Sequence, residues 1–229
     1  MTLHTPYLRS PDHVMRLTQM GAMFPTRLSF LRQVTRRLID EKCEVTRQHC
    51  TWDEQGFGTA VYKLTFGAHP YALCAITSPL SDENRTDRVI AEAWDAAFVL
   101  FDGHPTPEDI AESEANAPLQ EAGRFNGKAL VLSRANKSVR LFQSVVTALR
   151  EDRPLPMADL HRVGYMMRTT AVYGNWKFGI ADRPDFANRP GMSGPFAAEM
   201  LTVWLIRHFT HDLVEHLAGK PLPKHVKKM

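Results

Sequence analysis

Cations, rings and an amide crowd one stretch of this chain, Arg168 to Pro195, which reads RTTAVYGNWKFGIADRPDFANRPGMSGP. Arg168, Lys177, Arg183 and Arg189 supply positive charge, Tyr173, Trp176, Phe178 and Phe186 supply aromatic faces, and Asn175 supplies an amide. Rings beside cations suit a planar anionic or carboxylated ligand, held by stacking and charge-assisted hydrogen bonds. Gly174, Gly179, Gly191 and Gly194, with Pro184, Pro190 and Pro195, deny the stretch a helical or strand period. Structureless loops beyond about 12–15 residues are uncommon in compact domains and are usually functional or disordered. Disordered segments are poor in aromatics, so this one reads as an ordered loop. Fixing it costs about 1–2 kcal/mol per residue in backbone entropy, so its rings must bury something in return. The competing reading is that Tyr173, Trp176 and Phe178 only staple the loop to the core. The Gly174–Gly179 spacing is not a phosphate loop, because Ile180-Ala181 stands where a Lys-Ser/Thr pair is required.

A second basic run is Ser133-Arg134-Ala135-Asn136-Lys137-Ser138-Val139-Arg140. If Ala129 to Leu132 is extended, this run opens a helix. Cations in a first turn oppose the macrodipole by about 0.3–1 kcal/mol each, which makes sense where an anion sits on the free N–H groups. Arg134, Asn136 and Lys137 would then hold that anion. If the helix begins near Lys128 instead, the same residues are a solvated face.

His208, His211, Asp212 and Glu215 recur at helical spacing and bring two imidazoles and two carboxylates to one stripe. Helical metal sites draw further ligands from a facing helix, and no matching Glu-x-x-His occurs elsewhere, so no metal is assigned. Cys43, His49, Cys50 and Cys74 lack the paired spacings of zinc modules. Arg32, Arg36 and Arg37 offer a basic helix face for nucleic acid, but Asp40 and Glu41 follow one turn later and partly neutralise it. Acid–base candidates are Glu92 and Asp95 beside Trp94, and Glu199, which falls just inside the last helix. No serine-hydrolase elbow, dinucleotide fingerprint, kinase set or zinc-protease motif is present.

The elements that must position these residues follow from periodicity. Residues 11–42 read as two helices broken at Gly21–Pro25, the second capped by Thr26 and buried along Leu28, Leu31, Val34, Thr35 and Leu38. Val45–Trp52, Gly58–Phe66 and Tyr71–Thr77 read as an antiparallel meander. Asp87–Asp102 reads as a long fourth strand with Glu92, Trp94 and Phe98 on one face; as a helix it would group Arg88, Glu92 and Asp95. Thr106 followed by Pro107, Glu108 and Asp109 is a helix start, and that helix ends before Pro118. Further helices are expected over Arg134–Glu151, Met157–Val172 and Phe196–Ala218. The fold class is α+β: a small antiparallel sheet of three to four strands flanked by helices, with a mostly helical C-terminal half. Residues 1–218 form a single domain, and 219–229 a flexible basic tail.

The 229 residues are 44% hydrophobic and 23% charged, a globular balance, and a net charge of +3 argues against a dedicated polyanion binder. The strongest apolar run, Ala96–Phe101, is too short to cross a membrane. The N-terminus lacks an apolar secretory signal, and an odd set of three cysteines suits a reducing compartment, so the expected location is cytoplasmic. The leading reading is a soluble small-molecule enzyme or ligand-binding protein. Its ligand is a small anion, with Arg168, Tyr173, Asn175, Trp176, Lys177 and Arg183 as the site and Glu199 as acid or base; no cofactor is implied. The alternatives are a nucleic-acid-associated protein using Arg32, Arg36, Arg134 and Lys137, and a homo-oligomeric interaction protein anchored by Trp176 and Phe178.

Overall fold

Alternating apolar residues in the middle of the chain build one sheet, and later elements fold onto it. In the computed structural model the described residues are 43–66, 68–81, 94–116, 127–174, 189, 192 and 197–227. The helices expected over 11–42 lie outside them, as do Glu92 and the loop residues Asn175, Trp176, Lys177, Phe178 and Arg183.

Six strands, β1 (Glu44–Cys50), β2 (Gly58–Phe66), β3 (His69–Thr77), β4 (Ala96–Asp102), β5 (Ala129–Lys137) and β6 (Met167–Gly174), form one sheet in sequence order. Every neighbouring pair is antiparallel. The expected sheet of three to four strands is therefore too small, although the class is α+β as expected, and the helix-rich C-terminal half adds two strands to the sheet. Those two strands overturn the expected count. β5 runs through Lys137, so the helix expected from Arg134 begins only at Leu141. The helix expected over Met157–Val172 stops at Val163, where Gly164 takes φ 75°, and the chain then re-enters the sheet as β6. Thr169, Thr170 and Val172 are β-branched and fit a pleated surface better than a helix.

Five helices are described: α1 (Pro107–Ala115), α2 (Leu141–Arg150), α3 (Met157–Val163), α4 (Ala197–Ala218) and α5 (Lys224–Lys227). α1 starts as its sequence dictates. The Thr106 hydroxyl accepts from the Asp109 N–H, and the Asp109 carboxylate accepts from the Thr106 N–H at 2.8 Å, a reciprocal cap.

Strand alternation divides the core between the two faces. Ala60, Tyr62, Leu64, Leu73, Ala75, Phe98 and Leu100 form one face and pack with α2 and α4. Val61, Ala72, Cys74, Ile76, Ala97, Val99, Phe101 and Leu132 form the other, where Ile110 of α1 packs. Phe209 of α4 is the hub of the helical face. Its ring meets Trp52, Tyr62 and Phe98 edge-on at centroid distances of 5.6, 6.4 and 5.1 Å. α4 begins against β6 and ends over the β1–β2 turn. There Gly56 has φ 79°, and a Cβ on it would lie 2.8 Å from Leu213 Cδ1. Trp94 and Phe98 do not share a face as a long fourth strand would require: Trp94 packs with the second cluster and Phe98 with the first.

The segment expected to be a flexible tail is packed as far as Lys227. Leu222 and Val226 are buried, the Leu222 N–H donates to Glu215 Oε1 at 2.6 Å, and Lys227 pairs with the same oxygen at 2.6 Å. Burial of these two apolar side chains, four residues apart, together with the bonds to Glu215, anchors the basic segment. Among the described residues no helix is long and apolar enough to cross a membrane.

Candidate functional site

Strand register decides which basic residues meet. Ala97 pairs with Arg134, and Asn136 pairs with Arg168 on the next strand. Since a strand's side chains alternate, Arg134, Asn136 and Arg168 lie together on the face away from α4. Directly opposed residues have Cβ atoms about 4.5–5.5 Å apart, so Asn136 and Arg168 are neighbours. Asn136 is buried, Arg134 half-buried and Arg168 exposed. The Arg134 guanidinium carbon lies 4.4 Å from the centroid of the Trp94 ring, a half-buried cation–π contact. Next to Trp94, the buried Asp95 accepts the Lys137 N–H at 2.7 Å, tying β5 to the start of β4.

Lys137 takes the opposite direction. Its ammonium nitrogen lies 5.4 Å from the centroid of Phe142 and 5.7 Å from that of Phe57, both on the helical side. The expected anion cradle of Arg134, Asn136 and Lys137 at a helix start is thus not built. All three are in a strand rather than a helix start, the Lys137 N–H is taken by Asp95, and α2 has Arg140 at its N-cap with no side-chain cap.

The larger set expected around the loop is divided as well. Arg168 and Gly174 lie at opposite ends of β6, about 20 Å apart at roughly 3.3 Å per residue. The Tyr173 backbone pairs with Leu132 near the far end. The rest of that set, Asn175, Trp176, Lys177 and Arg183, lies outside the described residues.

Glu199 belongs to the first turn of α4, on the helical side of the sheet, and is 6% exposed. Among the described residues its Oε2 has no hydrogen-bond partner. Burial pushes its carboxyl up to about 7, and only its own N–H works in the other direction. The sheet stands between Glu199 and the Arg134–Asn136–Arg168 group, so a single ligand does not touch both.

One cluster escaped sequence reasoning. At the end of the sheet from which the loop departs, His69 Nε2 lies 2.9 Å from Asp102 Oδ1, and Arg189 donates to Asp102 Oδ2. The His69 ring stacks at a tilt on Tyr71, 4.8 Å between centroids. Tyr71 is pushed up, first by burial and then by Asp102, with Arg189 opposing. His69 opens β3 and Asp102 closes β4, so the only signal was the antiparallel pairing that joins those two ends. The buried Met192 donates its N–H to the Arg189 carbonyl at 3.0 Å.

The stripe on α4 is spent on packing. Asp212 turns to the sheet and accepts from the Tyr62 hydroxyl at 3.1 Å and from Arg47 at 3.3 Å, rather than pairing with His208. His208 packs against Trp204 instead, with ring centroids 4.2 Å apart. His211 is pushed down to about 3 by burial and then by Arg207, His208 and Lys227. Among the described residues no three His, Cys, Asp or Glu side chains are placed to hold a metal. Cys50 is exposed and Cys43 half-buried, while burial pushes the Cys74 thiol up to about 12.

Compared with known protein families, curated proteins and solved structures, the chain matches none of them.

Proposed function

We propose that the chain binds a small anionic ligand, a carboxylate or a phosphate ester, at the β5–β6 strand ends on the face away from α4. Arg134 and Arg168 supply charge and Asn136 an amide. The observation that carries the reading is the register that sets Asn136 opposite Arg168, with Arg134 one pleat away on the same face. The Trp94 ring, 4.4 Å from the Arg134 guanidinium carbon, helps to position that cation on this face. Tyr173 lies near the far end of β6 and Glu199 on the other side of the sheet, so neither belongs to this site. The reading is of binding; it carries no reaction.

A thermal-shift screen of carboxylates and phosphates tests it. A ligand present at a hundred times its Kd adds about 2.7 kcal/mol of stability. Arg168→Ala should abolish that shift while leaving the melting temperature of the free protein unchanged, since Arg168 is exposed. Screening without any anion-dependent shift, or a shift that survives in both Arg168→Ala and Arg134→Ala, refutes the reading.

A further inference from the structure

The side chain in this fold most in need of explanation is Glu199. Buried polar groups are normally satisfied, and an unpaired one in a native core calls for a reason. Glu199 is buried at the third residue of a 22-residue helix, and Thr202 beside it gives its hydroxyl to the Ala198 carbonyl at 2.8 Å. Among the described residues the elements packed against α4 are α2, β5 and β6, with β3 and β4 beyond them, while β1 and β2 meet it further along, where Arg47 and Tyr62 reach Asp212. None of their charged groups acts on the Glu199 carboxyl. Arg150 of α2 donates to the Leu217 carbonyl at the far end of α4, and Lys137 lies over Phe57 and Phe142. Arg134 and Arg168 lie on the other face, and His69 and Asp102 pair with each other. On α4 itself Arg207 and His208 are two turns away, and neither acts on the Glu199 carboxyl.

We propose that Glu199 is a proton-operated latch: with its proton it keeps the first turn of α4 seated, and losing the proton opens that turn while the rest of the fold stays closed. Opening can stay local for a structural reason. The first four N–H groups of a helix have no intrahelical acceptor, so Ala197–Met200 can leave with few bonds broken. Behind them the helix is pinned by Leu201, Leu205 and Phe209, all buried. The helix dipole favours an anion at this end, yet the carboxyl is pushed up to about 7, so burial outweighs the dipole. An opened first turn returns Glu199 to water and to its ordinary value of 4.5. The closed state then holds one more proton than the open state between these limits. The opening equilibrium therefore rises about tenfold per pH unit from 4.5 to 7, roughly 300-fold in all, and levels off above.

Hydrogen exchange of the full-length protein tests this, read as protection factors so that intrinsic pH dependence is divided out. The amides of Leu201, Thr202 and Val203, which bond across the first turn, should lose protection as pH rises from 4.5 to 7. Those of Phe209 to Leu213 should not follow them. In Glu199→Gln the first-turn amides should show no pH trend. Should that variant fail to fold, Glu199→Met fills the same volume without an ionisable group and serves the same comparison. A wild-type first turn with pH-independent protection overturns the proposal, as does a trend that persists in the variant.

Discussion

Replacing Glu199 by glutamine should tilt a stability profile that two buried groups hold nearly level. Glu199 has its folded value raised, from 4.5 to about 7, so its contribution is complete below 4.5 and is lost as pH climbs to 7. His211 has its folded value lowered, from 6.5 to about 3, because burial and neighbouring cations oppose its charge. Its penalty appears as pH falls below 6.5, when the unfolded chain takes up a proton that the folded chain refuses. Between pH 4.5 and 6.5 the two slopes have opposite signs and similar size, each about 1.4 kcal/mol per pH unit. They nearly cancel. His208, also pushed down by burial, adds to the His211 side. Without the Glu199 carboxyl the His211 slope stands uncovered, and stability should gain about 3 kcal/mol more than wild type across those two units. Urea midpoints measured for both proteins at pH 4.5, 5.5 and 6.5, with unchanged m-values, give the comparison directly. Superimposable profiles would mean that Glu199 is solvated or paired in solution, and the reasoning from its burial fails.

Two further substitutions probe how α4 is seated. Phe209→Ala removes a fully buried ring that touches Trp52, Tyr62 and Phe98, and should cost about 3–5 kcal/mol in chemical denaturation; a loss under 1 kcal/mol would show that the hub is dispensable. Gly56→Ala meets both a left-handed backbone, φ 79°, and Leu213 Cδ1 at 2.8 Å, so a loss of about 1–3 kcal/mol is expected, and an unchanged melting temperature would contradict the turn geometry.

Much of the fold was legible where local signals are strong. The first three strands follow from β-prone runs between turn residues, and α1 from its capping box. α4 begins within a residue of its expected start. What was hidden was hidden for a physical reason. The polar end of β5, Ser133 to Lys137, fits a helix start as well as a strand end when read alone, and only its pairing with β4 and β6 decides. β6 follows directly on the α3 pattern, and the break depends on Gly164 taking φ 75°. The site suffered more. Arg134 and Lys137 differ by an odd number of residues, which puts them on the same side of a helix but on opposite sides of a strand. His69 and Asp102 meet only because two strand ends coincide, and no local period announces that.

The order of the sheet has a consequence for how the chain is made. Each described strand pairs with its sequence neighbours, so hairpins can form one after another as the polypeptide leaves the ribosome. The helix that covers Tyr62, Leu73 and Phe98 is encoded after all six of them. Until Phe209 is synthesised, the sheet offers one greasy side to solvent or to a chaperone, and a message truncated after Gly174 would yield a product prone to clump.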